Sequence, residues 1–313
     1  MLSKTVRSVL VCPHCRRHPE WATDELPHYH CPECDLDFPR TERKQLDFRP
    51  RHTETISLDF TLGEPFEHPD GVRYEPLEPN PRPDVDWSSM NVPKHFTSEI
   101  LSYIPKAGTD AVCLDLGCGK GGHRPVAEHA GYAWLGLDSE SKRAPVLGDA
   151  HLLPVADRSV DLVLSMAVLE HLRYPHRAMK EIHRVLKPGG LFIATVAFLE
   201  PFHSDSYFHM THMGVAGLLG YAGFDVERLG PSSNCLHSIF RMGMFPGMSR
   251  QGCRRLADPV IWLHKQWWKR TARKRPELTE RQRILINSGD MTMVARRRHP
   301  KVDQALDRVR QKQ

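Results

Sequence analysis

Apolar residues between positions 111 and 197 come in short dense runs. These are Val112-Cys-Leu-Asp-Leu116, Trp134-Leu-Gly-Leu137, Val160-Asp-Leu-Val-Leu164 and Leu191-Phe-Ile193. Runs this short and this apolar, closed off by glycine or aspartate, predict strands covered on both faces. Between and around them the period changes to that of a helix. Phe96, Ile100 and Leu101 start one stripe, which stops near Pro105, and Met179, Ile182 and Val185 form another within 174–186. A third helix is expected over 213–221 behind Thr211 as its cap. Phe224–Leu229 reads as a sixth strand and Met291–Ala295 as a seventh. Strands alternating with helices predict an α/β fold with a doubly wound sheet. Ten residues separate Asp138 from Asp149. A parallel crossover takes a dozen or more, so the helix between the second and third strands is expected to be very short or missing, which thins that wall.

The pattern breaks in three places. Residues 46–93 form a connector in which Pro65, Pro69, Pro76, Pro79, Pro81, Pro83 and Pro93 forbid regular helix. Glu64, Glu67, Asp70, Glu75 and Glu78 keep it solvated, and it either wraps the body or tethers what precedes it. Residues 230–289 interrupt the last two strands. There Leu256, Val260, Leu263 and Trp267 share one helical face, flanked by Trp262 and Trp268 and followed by Lys265, Lys269, Arg270, Arg273, Lys274 and Arg275. Three readings stay open for 256–275: a helix packed on the body, a membrane-surface contact, or a grip on single-stranded RNA. Residues 301–313 read as a solvated tail.

Charge follows the same division. The chain of 313 residues carries a net +5, but residues 251–313 hold 17 Lys and Arg against 6 Asp and Glu, leaving the rest net negative. With 40% hydrophobic residues it can bury an ordinary core. No apolar run approaches bilayer length and the first ten residues lack a signal-peptide pattern, so a cytoplasmic protein is expected, membrane-peripheral if 256–275 meets lipid.

Four of the eight cysteines form a set. Cys12-Pro-His-Cys15 and Cys31-Pro-Glu-Cys34 are two knuckles whose four thiolates can close a tetrahedron around Zn2+. The alternatives are local disulfides or a redox dithiol, which a reducing compartment disfavours. Four thiolates complete such a site, so it is read as structural, and His14, His18, His28 and His30 as surface residues. The ribbon, placed at 8–45, is too small for an adequate core and is expected to depend on its metal for folding. Tyr29-His-Cys-Pro-Glu-Cys-Asp-Leu-Asp-Phe-Pro39 resembles the zinc ribbon ahead of many bacterial methyltransferase domains. It is also similar to the stand-alone ribbon that activates tRNA and ribosome methyltransferases.

The organising stretch is Asp115-Leu-Gly-Cys-Gly-Lys-Gly121. Three glycines leave a turn without Cβ atoms that can bend tightly against a ligand, and a helix N-terminus follows. Gly117, Gly119 and Gly122 also satisfy a dinucleotide fingerprint, but Asp115 would face a pyrophosphate, whereas it suits a cationic sulfonium or ammonium. The stretch resembles motif I of the class I S-adenosyl-L-methionine (SAM) dependent methyltransferases. Trp134–Asp138, Gly148–Pro154, Val160–Met166 and Arg184–Ile193 resemble that family's later motifs in order. The resemblance implies a Rossmann-like seven-stranded methyltransferase domain over 94–300, with one antiparallel strand in its final hairpin. It places Asp115, Gly117, Gly119, Gly121, Asp138, Asp149, Ala150 and Ser165 around SAM, with Asp138 at the ribose and Asp149 on the adenine side.

Methyl transfer needs alignment and exclusion of water more than a base, because the sulfonium leaves readily. Candidate bases fall in two clusters, Glu170-His171 after the fourth strand and Phe198–His212 after the fifth, which contains His203, Tyr207, His209 and His212. His171 and His203 are the nominated pair, and Leu169-Glu-His171 resembles the quinone-biosynthesis methyltransferases. His171 also reads as a helix cap or a wall of the SAM pocket. His203, Asp205, His209 and His212 could hold a metal or shape a lid. The acceptor expected is a small metabolite, a saccharide or a lipid-linked precursor. An RNA methyltransferase is the enzymatic alternative. Ser165-Met-Ala-Val168 stands where an Asn-Pro-Pro-Tyr signature would mark adenine N-methylation. A SAM-binding assembly module without catalysis is the alternative of another class.

Overall fold

The computed structural model describes residues 2–18, 28–51, 53, 55–60, 74–274 and 279–299. Glu64, Pro65, Glu67, Pro69, Asp70, Arg275 and the tail after His299 lie outside them.

Helix α1 (Lys4–Val9), capped by the Ser3 side chain, leads into the first cysteine knuckle. Strands β1 (His28–Cys31) and β2 (Leu36–Pro39) form an antiparallel ribbon around the second knuckle. β3 (Leu46–Asp47) follows, then α2 (Ser98–Ser102), β4 (Val112–Leu116), α3 (Arg124–His129), β5 (Ala133–Asp138) and β6 (Val146–Leu147). After these come β7 (Val160–Met166), α4 (Pro175–Val185), β8 (Leu186–Ala197), α5 (His212–Ala222) and β9 (Phe224–Asn234). α6 (Cys235–Ser238), α7 (Arg250–Thr271), α8 (Glu280–Ile286) and β10 (Ser288–Arg297) complete the chain. The helices expected at 174–186 and 213–221 are α4 and α5. Thr211 Oγ1 accepts from Gly214 N at 3.1 Å, and Gly223, in the left-handed region at φ 90°, ends α5.

The sheet is mainly parallel, ordered β3-β6-β5-β4-β7-β8-β10-β9, with β10 antiparallel to both neighbours. It has eight strands rather than seven. The addition is β3, which falls inside the expected connector and pairs parallel with β6. The wall expected to be thin is therefore thickened. Phe48 N donates to Leu147 O at 2.8 Å, and Gln45 Nε2 to Ser141 O at 2.8 Å.

No helix lies between β5 and β6, as the short spacing predicted, and none lies between β6 and β7. A sheet face left uncovered there would expose Leu135, Leu137 and Val146. Instead Val6, Val9, Leu10, Tyr29, Phe38 and Phe48 join them in one continuous core with α4 and α5. Leu10 bridges to Val155, and Val11 N donates to Pro154 O at 3.1 Å. Tyr29, Phe38 and Phe48 stack mutually, with ring centroids 4.9 to 5.4 Å apart. The ribbon does the work of the missing crossover helix and shares the body's core.

The opposite face carries α2 and α3. The described part of the connector wraps the body there: Leu77, Val85, Trp87 and Met90 pack on that core, while Tyr74 bridges to Leu229. Gly230 makes room for this, because a Cβ there would strike the Glu75 backbone carbonyl. Strands β9 and β10 run further than expected, so the helical insertion spans 235–287 rather than 230–289.

Candidate active site

The glycine turn leaves β4 with Gly117, Gly119 and Gly121 all in the left-handed region, at φ 69°, 54° and 78°. At Gly117 a Cβ would also strike Val168, whereas at Gly119 it would point into open space. Asp138 Oδ2 accepts from Gly119 N at 2.9 Å, and its Oδ1 from Glu140 N and Ser141 N at 2.9 Å each. The acid at the end of β5 thus fixes the turn and lies against it.

Asp115 departs from the expectation. In place of a carboxylate facing a cationic ligand, it is wholly buried with both oxygens engaged. His123 Nδ1 lies 3.1 Å from Oδ1, and Trp134 Nε1 donates to Oδ2 at 3.1 Å. A carboxylate on a central strand needs such partners to offset its desolvation. It braces the turn from beneath.

Asp149 follows β6, with Oδ1 accepting from His151 N at 2.8 Å and 2.6 Å from His151 Nδ1. Burial pushes its pKa up, but the His151 ring and N–H outweigh this and hold it below the usual carboxylate range. Ala150 is buried beside it. Ser165, near the end of β7, is fully buried and its Oγ has no hydrogen-bond partner. An orphaned buried hydroxyl, a turn with open space at its middle glycine and an acid at the second strand together fit a bound nucleoside such as SAM.

A cavity of about 700 Å³ opens at Ala167, next to the Val168 side chain that lies against Gly117. Ala167, Glu170, Thr195, Glu200 and Asp290 line its floor. His95 and Phe96 form one side, and Phe96 stacks edge-on at 5.2 Å against the His123 ring that touches Asp115. The other side comes from the insertion: Ser233, Ser238, Arg241, Arg250, Cys253 and Arg254. Ala167 sits at φ 57°, a conformation costing about 1 kcal/mol or more, and its N–H donates to Thr195 Oγ1 at 3.0 Å.

Three acids meet in that floor from three distant segments. Ser238 Oγ donates to Glu200 at 2.9 Å and Ser233 Oγ to Asp290 at 2.7 Å, but Glu170 Oε2 is buried with no partner. Burial first, then Glu200 and Asp290, pushes Glu170 up to about 7. Burial and Glu200 also raise Asp290. Lys94, Arg241, Arg250 and Arg254 also line the cavity, and none has a carboxylate partner among the described residues. Burial, then Lys94, His123, Arg241 and Arg250, lowers His95 to about 4. Glu200 was legible only as part of a polar cluster. Asp290 and the arginines carried no local signal, because their place depends on how the insertion folds back.

His171 and His203 are brought together, with ring centroids 5.4 Å apart, and both flank Glu170. The proposed quartet of His203, Asp205, His209 and His212 does not assemble. His212 starts α5 against Tyr74, and Asp205 is exposed. His209 stays 5.8 Å from His203. Tyr207 is also exposed.

At the N-terminus, Cys12, Cys15, Cys31 and Cys34 place one sulfur each within 4.8 Å of one another, and all are free thiols. Cys15 and Cys31 Sγ are 3.4 Å apart, and Cys12 and Cys34 Sγ 3.9 Å. The donor set fits a closed Zn2+ site. His18, His28 and His30 are exposed, as expected, and His14 is partly covered.

Residues 114–194 match the family described as "Methyltransferase domain". This segment belongs to that family. It is the fold and motif set of the class I SAM-dependent methyltransferases, on an α/β sheet with a cysteine cluster in front. A Mycolicibacterium smegmatis relative, named "Probable S-adenosylmethionine-dependent methyltransferase/", is 32% identical over 143 residues, covering 39% of this chain and 54% of that one. An Arabidopsis thaliana tRNA (carboxymethyluridine(34)-5-O)-methyltransferase is 30% identical over 119 residues, 33% of this chain and 30% of that one. Among solved structures, the complex of the Haloferax volcanii Trm112 methyltransferase activator with a methyltransferase aligns with TM-score 0.43 and 22% identity, over 66% of this chain and 89% of that one. The chain spans about half the length of the first curated relatives it matches. Among the described residues no helix is long and apolar enough to cross a membrane.

Proposed function

We propose that this chain transfers the methyl group of SAM to a small-molecule, saccharide or lipid-linked acceptor held in the cavity between the sheet and the insertion. The carrying observation is that cavity. Its walls come from the C-terminal ends of β7 and β8, the segment before α2 and the insertion, so it is a built site at the sheet's ligand edge. In this reading Asp138, Gly117, Gly119, Gly121, Asp149, Ala150 and Ser165 surround SAM, while Asp115 holds the turn rigid. SAM supplies an activated methyl carbon. The protein aligns the acceptor in line with it and excludes water. Lys94, Arg241, Arg250 and Arg254, without carboxylate partners among the described residues, favour an acceptor bearing an anionic group. Cys12, Cys15, Cys31 and Cys34 hold Zn2+ as a structural ion with no part in the chemistry.

The lipid-linked version has its own support in α7. Leu256, Val260, Trp262, Leu263 and Trp267 are all exposed, so this face is not packed on the body. It carries Lys265, Lys269 and Arg270 beside the tryptophans, the composition of a helix that lies at an anionic membrane surface. The same basic face, with a relative named as a tRNA methyltransferase, favours RNA as the second reading.

Calorimetry with SAM, followed by transfer of labelled methyl into fractionated extract, tests this. Label in lipid or polar metabolites supports the reading. Label in RNA replaces it with the second, and SAM binding without transfer leaves an assembly module.

A further inference from the structure

The acid and the two imidazoles on the cavity floor share a geometry that the proposed function does not use. Glu170, His171 and His203 each bring one donor atom within 4.8 Å of the others. Glu170 is 1% exposed, and its Oε2 has no partner among the described residues. A buried carboxylate oxygen left unpaired costs about 1–3 kcal/mol or more unless something binds it.

The surroundings hold the donors in place. Tyr207 N and Phe208 N donate to the Glu170 carbonyl at 2.7 and 3.1 Å, clamping the 203–208 loop onto the turn that carries Glu170 and His171. His203 Nδ1 lies 3.0 Å from Pro201 O, so that nitrogen carries the proton and Nε2 is left as a lone-pair donor. An imidazole oriented by a backbone carbonyl is the usual support of a metal-ligating histidine. Glu200 and Asp290 add negative charge in the same floor. Two imidazoles with one carboxylate, opening on a cavity, make the donor set of divalent first-row metals that keep free coordination positions.

We infer that Glu170, His171 and His203 form a second metal site, distinct from the cysteine cluster, that binds a divalent first-row cation at the floor of the acceptor cavity. Binding stands on this geometry alone; its role rests on the methyl-transfer reading. An acceptor hydroxyl coordinated there loses its proton to solvent through the cavity mouth. The resulting oxygen anion forms the O–C bond to the methyl group as the C–S bond breaks, and that electron pair stays on sulfur. The class of acceptor implied is therefore an alcohol or phenol.

The test uses the full chain with its thiolate-bound zinc left in place, and Mn2+ as the probe, because thiolate sites select against it. Electron paramagnetic resonance of free Mn2+ counts what is bound, and SAM calorimetry runs in parallel. One saturable Mn2+ per chain, weakened at least tenfold in both His203→Ala and Glu170→Gln while circular dichroism and SAM affinity are unchanged, is the expected result. No saturable Mn2+ or Co2+ binding below about 1 mM, or equal binding in both variants, overturns it. Failure with SAM binding intact removes this site and leaves the proposed function standing. Loss of SAM binding in the wild-type chain removes the proposed function instead.

Discussion

The body from β4 to β8 and the insertion from α6 to α8 lie against one another, yet they are built on opposite principles. In the body, neighbours in sequence are neighbours in the site: β4, its glycine turn and Asp138 at the end of β5 meet through hydrogen bonds of about 3 Å. In the insertion, Arg241, Arg250 and Arg254 come to line the same cavity as Glu170 and Glu200 only because the chain folds back across it. A site that binds a shared cofactor can be written locally. A site that selects an acceptor is assembled from distant pieces, one of them an interruption of the last hairpin.

A third region belongs to both kinds. The ribbon reads locally as a zinc module, but its core is continuous with the sheet. Cys31→Ala with Cys34→Ala, or stripping zinc from the reduced protein, should abolish the cooperative melting transition of the whole body and not of the ribbon alone. Differential scanning calorimetry reads this. A body that still melts as before would show the ribbon to be separable. Metal analysis of the intact chain should find about one thiolate-held zinc.

Within the body, Asp138→Ala should weaken SAM binding about 100-fold by calorimetry, since a charged hydrogen-bond network is lost. Unchanged affinity would end the cofactor assignment. A site-free control lies at His183, which packs edge-on at 5.4 Å against Phe224. Burial first, then Arg297, Lys180, Arg298 and Arg158, lowers it to about 4. The unfolded chain takes up this proton near pH 6.5, while the folded chain resists until about 4. Its contribution is therefore whole above pH 6.5 and falls away as pH drops toward 4, by about 3 kcal/mol. Denaturant titrations across that window should lose this slope in His183→Gln.

The smallest effect on stability is expected in the insertion. Trp262→Ser with Trp267→Ser should change stability by no more than about 0.5 kcal/mol, because both rings are exposed. The same pair should abolish sedimentation with anionic vesicles if α7 lies on lipid. Vesicle binding that survives the change would leave this face without its proposed partner.

The sequence by itself determined the α/β alternation, the glycine turn, the two cysteine knuckles and the helices α4 and α5. Each rests on a period or spacing within a few residues, where backbone geometry alone decides the outcome. The missing crossover helix was legible too, as a gap too short to hold it. What replaces that helix was not. That Val6, Leu10 and Phe38 cover Leu135 and Leu137, and that Leu46–Asp47 adds a strand, follows from an uncovered apolar face finding the nearest apolar surface in space. The sequence also named Asp115 and misjudged where it points, because burial and the reach of His123 and Trp134 set the direction of a carboxylate. The union of Glu170, Glu200 and Asp290 under one cavity was decided by tertiary structure alone. Charges on separate segments interact only after the chain has brought them out of water together, and no local pattern encodes that distance.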